Sequence, residues 1–119
     1  MSESDQPIVP IAPAALPNGV ELIATERERQ LTQKGWGIEH DDGHIHGELI
    51  DAGLSYVYAA INVGHPAMGK PPAEWPWTAN YWRPSANPIR NLAKAGALIA
   101  AEIDRLQRAS EKVKPCQET

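Results

Sequence analysis

Phenylalanine is absent from this chain of 119 residues, and cysteine occurs once. Apolar residues make up 42 % of the sequence, but many of them are alanine. A core built from such residues is thin, which predicts close helix contacts through small side chains and burial against a second copy. The lone Cys116 lies in a polar tail and excludes an internal disulfide, an arrangement suited to a reducing cytoplasm. No apolar run reaches membrane-spanning length, and no basic stretch followed by an apolar one opens the chain, so neither a membrane span nor export is expected. Basic charge is also short. Eleven Lys and Arg face fifteen Asp and Glu, for a net charge of −4, which disfavours non-specific binding to nucleic-acid phosphates. Segments with strand periodicity are missing as well, and the fold class expected is all-α.

The length supports a single domain. Residues 1–17 carry Pro7, Pro10, Pro13 and Pro17, which predicts an irregular arm, either disordered or laid over a partner subunit through Ile8, Val9 and Ile11. A compact helical domain is expected over 18–110, with three main helices and a long Trp- and Pro-rich loop. A polar tail follows over 111–119.

Asn18 with Glu21 makes an approximate capping box, predicting a first helix to Lys34 with its stop at Gly35. Val20, Ile23, Ala24 and Leu31 fall on its expected buried side, with Glu26 one step from that seam. The second helix is expected over about 44–63, capped by Asp41 or Asp42 and burying Leu49, Ala52, Tyr56 and Ala60. Asn87-Pro88 is a cap followed by proline at the first helical position, opening a third helix to about Ser110. There Leu92, Ala95, Gly96, Ile99, Ile103 and Leu106 recur at helical spacing. Gly96 inside a helix costs about 1 kcal/mol relative to alanine, which points to close helix approach. The loop over 65–88 holds Trp75, Trp77, Tyr81 and Trp82, too much aromatic area to leave in water, so at least two of its tryptophans are expected in the core.

Chemistry concentrates between Gly35 and Ala60. On a helix His44, Glu48, Asp51 and Ser55 would form one polar line, and Glu48 and Asp51 would point the same way. Carboxylates so placed suit a hard divalent cation that in turn holds phosphates; otherwise the line is a solvated helix face. A zinc site drawn from His40, Asp41, His44 and His46 is disfavoured, because cysteines and further histidines are lacking. Arg90 and Lys94 stand one turn apart near the start of the third helix, where anions are favoured. The aromatic loop offers flat faces for a nucleobase.

ERERQ (26–30), Gly35-Trp36, HDDGH (40–44), GEL (47–49), Tyr56, WPW (75–77), Trp82-Arg83-Pro84 and RNLAKAGALIAAEIDRL (90–106) together resemble a family of small phage and prophage proteins. The helices and the Glu48-x-x-Asp51 element are similar to MazG-like all-α nucleoside triphosphate pyrophosphohydrolases. That resemblance implies a helical oligomer in the host cytoplasm and a carboxylate-bound Mg2+. It also implies attack by water on a nucleotide's phosphate chain. Glu26, Glu48, Asp51 and Asp42 would hold the metal, with Glu48 and Asp51 carrying catalysis. Lys94 and Arg90 would take phosphates, and Trp77 or Trp82 the base. The paired acids expected one turn apart on the first helix are replaced by Glu26 and Glu28, whose spacing keeps both from joining one site. The alternative is therefore a phage protein that sequesters a nucleotide, as in countering host defence, without turnover.

Overall fold

The computed structural model describes residues 15–113, and the greater part of the expected N-terminal arm and Cys116 lie outside them. Within those residues four helices follow one another. They are α1 (Gly19–Thr32), α2 (Ile38–Asp42), α3 (Glu48–Ile61) and α4 (Pro88–Val113), with 3₁₀ turns at Pro66–Gly69 and Ala79–Tyr81. No strand occurs among the described residues, and none of their helices is long and apolar enough to cross a membrane.

Helix α1 starts as its cap chemistry demands. The Asn18 side chain accepts from the Glu21 backbone N–H at 2.9 Å, and Glu21 accepts from the Asn18 N–H at 2.8 Å. Asn87 opens α4 in the same manner, its side chain accepting from the Ile89 N–H. The second expected helix, by contrast, is two elements. Gly47 adopts φ +84°, a left-handed conformation that breaks the run between His44 and Glu48. Asp41 and Asp42 consequently end the short α2 instead of capping a helix at 44, and α3 begins at Glu48.

Helix α4 is the spine, and each of the other three packs on it, α3 most extensively. Leu49, Ala52, Tyr56 and Ala59 of α3 meet Ala95, Leu98 and Ala101 of α4, with Trp75 and Trp82 of the loop closing the core. Two loop tryptophans are thus core residues. Gly96 lets α1 approach, since a Cβ there would stand 2.6 Å from Ile23 Cδ1.

The buried faces of α1 and α4 differ from those the apolar spacing predicts. On α1 the buried side chains are Glu26 and Gln30, whereas Val20, Ala24 and Leu31 face solvent. On α4 the buried face carries Asn91, Lys94, Ala95, Leu98 and Glu102, and Leu92, Ile99, Ile103 and Leu106 are each about half exposed. The physical reason is partner satisfaction. Glu26, Lys94 and Asn91 find ion pairs and backbone partners on the inner face, so their burial is compensated.

Candidate functional site

Two cavities meet behind the loop. The larger, about 620 Å³, is lined by Trp36, His40, His44, Pro76, Trp77, Thr78 and Tyr81. Trp36 leads into α2, which sets His40 parallel to its indole, with ring centroids 5.1 Å apart and planes within 1°. His44 meets His40 edge to face at 4.6 Å, and Trp77 leans over all three rings at 5.2–6.4 Å. Trp77 is fixed from behind by Trp75, whose own indole N–H donates to the Thr78 carbonyl. The result is a slot of flat π faces with two imidazoles in its wall.

Buried polar groups hold that wall. Asp41, 1 % exposed, accepts from Arg27 Nη2 at 2.7 Å and lies 3.0 Å from His40 Nδ1. The two imidazole Nε2 atoms are 3.3 Å apart, and His44 Nδ1 stands 3.9 Å from Glu48 Oε2. Burial and the adjacent His40 push the His44 imidazolium pKa below its ordinary value, against the opposing pull of Glu48 and Asp41.

The second cavity is small, about 30 Å³, and shares Trp36 and Tyr81 with the first. Its remaining wall is Glu26, Arg29, Gln30, Lys34, Tyr56, Arg83, Lys94 and Leu98, four cations against one carboxylate. Glu26 is bound by Arg29 at 2.6 Å and approached by Arg90 at 3.3 Å. Lys94 donates to the Arg83 carbonyl at 2.7 Å and lies 5.2 Å from the Tyr56 ring centroid. Burial first, and then Arg90, lower its pKa to about 8.

Compared with protein-family models, curated proteins and solved structures, the chain matches none. The site is therefore read from its own residues.

Of the residues expected at the site, the structure brings Trp77, Lys94 and Glu26 to these adjoining cavities. Trp82 is elsewhere, in the core, tilted on Tyr56 at 4.9 Å with its indole N–H on the Met68 carbonyl. Arg90 is exposed and engaged with Glu26. The four acids expected to hold magnesium do not converge. Glu26 is neutralised by guanidinium groups, and Asp42 accepts twice from Arg108, which with burial opposing holds its carboxyl below the usual range. Glu48 accepts from the His46 backbone N–H at 2.7 Å. Among the described residues no three His, Cys, Asp or Glu side chains form a metal-ligand group. These acids do not fit a shared magnesium site, and only Glu48 and Asp51 stay together, in the first turn of α3.

Sequence reasoning missed Trp36, His40, Arg29, Gln30, Lys34 and Arg83 as wall residues. The signal was partly there, since Glu26, Arg29 and Gln30 share one face of α1 at i, i+3 and i+4. The apolar pattern of α1 pointed to a different face.

Proposed function

We propose that this protein binds a nucleotide or nucleotide-derived small molecule, with the base stacked on Trp77 in the aromatic slot and the phosphates on the cluster of Arg29, Lys34, Arg83 and Lys94. The observation carrying this reading is the shared Trp36–Tyr81 wall, which joins an aromatic slot to a cationic recess. Base–aromatic stacking contributes about 1–3 kcal/mol per base, and guanidinium groups suit phosphate oxygens. Glu26, Asp42 and Glu48 are engaged within the fold, which favours retention of an intact ligand over metal-assisted turnover. The half-exposed apolar stripe of α3 and α4 supports a homo-oligomer.

The second reading is magnesium-dependent pyrophosphohydrolysis. One observation favours it: Glu48 and Asp51 stand three residues apart at the start of α3, and Asp51 has no side-chain hydrogen bond or ion pair among the described residues. Calorimetry with a panel of nucleoside mono-, di- and triphosphates, with and without Mg2+, tests both readings when products are followed by chromatography. Binding of intact ligand that needs no Mg2+ is expected. Mg2+-dependent release of pyrophosphate that Glu48→Gln abolishes establishes the hydrolase instead, and absence of any binding overturns both. Trp77→Ala should weaken binding roughly five- to a hundred-fold, the equivalent of one lost stack, with the helical circular dichroism unchanged.

A further inference from the structure

Each end of the His40–His44 pair faces an acid. Asp41 Oδ1 is 3.0 Å from His40 Nδ1, with Asp41 itself held by Arg27, and Glu48 Oε2 is 3.9 Å from His44 Nδ1. A carboxylate accepts and does not donate, so each acid favours the tautomer carrying its proton on Nδ1. In those tautomers two Nε2 lone pairs confront each other at 3.3 Å. Two lone pairs at that distance repel unless a cation lies between them, or one ring turns its proton inward and leaves a bare nitrogen towards its acid.

The spacing is that of a chelate. A tetrahedral ion with metal–nitrogen distances of about 2.0–2.1 Å separates two ligand nitrogens by roughly 3.3–3.4 Å. An acid behind a ligand imidazole is the usual outer-layer partner, fixing the tautomer and raising basicity. Both side chains are partly buried and line the large cavity, so an ion between them would have room for water or a bound molecule on its open side. His46, by contrast, is exposed, and its side chain makes no hydrogen bond, ion pair or ring contact with the pair.

We propose that His40 and His44 form a two-imidazole site for a divalent transition-metal ion of the zinc class, oriented by Asp41 and Glu48 and open towards the aromatic cavity. Imidazole suits Zn2+, Ni2+ and Cu2+, and a site with two protein ligands is one from which the ion exchanges. This site stands apart from the nucleotide reading, since it uses different atoms and needs no nucleotide for its test.

The test uses the full-length chain without an affinity tag, stripped by a chelator. Zn2+ is titrated by calorimetry and Co2+ by visible absorption. One equivalent per chain is expected. His40→Ala and His44→Ala should each abolish the Co2+ spectrum, and Glu48→Gln should weaken Zn2+ about 10- to 100-fold. His46→Ala should leave both unchanged. A readout that needs no variant guards against misfolding: bound Zn2+ should protect His40 and His44, but not His46, from diethyl pyrocarbonate, as mapped by peptide mass spectrometry. No uptake by the wild-type chain, uptake undiminished without both histidines, or protection that misses them overturns the site and leaves a shared proton between the rings.

Discussion

Lys94 and Asp41 are two of the buried charges that hold the site, and each carries its own prediction. Lys94 has a folded pKa of about 8 against an ordinary 10.5, because burial disfavours its charged form. Below about pH 8 both folded and unfolded chains hold the proton, so its contribution to stability is flat there. Between about 8 and 10.5 only the unfolded chain holds it, and stability from this residue rises with pH. Anion binding runs the other way, since it needs the charge. Nucleotide affinity should fall as pH rises from about 7 to about 9, within the range where lysine but not arginine titrates. Lys94→Met should flatten that dependence, which calorimetry across the range would check. Asp41 is 1 % exposed and pairs with Arg27 at 2.7 Å. Asp41→Ala leaves a guanidinium uncompensated and should cost about 3 kcal/mol in chemical denaturation. A loss under 1 kcal/mol, far below that expected for a buried pair, would show that Arg27 finds another partner.

At the scale of elements, the approach of α1 to α4 is set by Gly96. A methyl there would lie 2.6 Å from Ile23 Cδ1 and 2.7 Å from Cγ1, so Ile23 must move. Overpacking of this kind costs about 1–3 kcal/mol, offset by about 1 kcal/mol from better helix propensity. Gly96→Ala should therefore destabilise by roughly 1 kcal/mol. In an Ile23→Ala background the clash is gone, and the same substitution should become neutral or stabilising. A double-mutant cycle with no coupling would place the helix contact elsewhere. Because α1 carries Glu26, Arg29 and Gln30, a shift of this helix should also weaken anion binding.

For the whole molecule, the apolar surface is the property to explain. Leu54, Tyr58 and Ile61 on α3 and Leu92, Ile99, Ile103 and Leu106 on α4 are all between 42 % and 73 % exposed. Ile99 lies against Gly53, which connects the two helices' stripes. A monomer that left this surface in water would forgo about 25 cal/mol per Å² of it. A symmetric dimer through this face is expected in sedimentation, and Ile103→Glu should yield a folded 13.0 kDa monomer. If the wild-type chain sediments as a monomer at micromolar concentration, the stripe meets something other than a second copy.

The sequence by itself determined the helical class, the Asn18 and Asn87 caps, and the approach at Gly96. It also determined that at least two of the crowded tryptophans must be buried. These are local decisions, made by cap hydrogen bonds, backbone conformation and aromatic area. Which face of α1 and α4 turns inward was decided only by the tertiary structure, because Glu26, Asn91 and Lys94 become buriable once Arg90, Ser85 and Arg83 satisfy them. The acids reached different ends for the same reason. Asp42 was claimed by Arg108, 66 residues away, Glu26 by Arg29 and Arg90, and the break at Gly47 removed His44 from the helix that carries Glu48. The slot of Trp36, His40, His44 and Trp77 joins residues up to 41 positions apart (77 − 36). No periodicity encodes it. It exists because the loop after α3 folds back over α2, where burying the indoles outweighs leaving the loop in water.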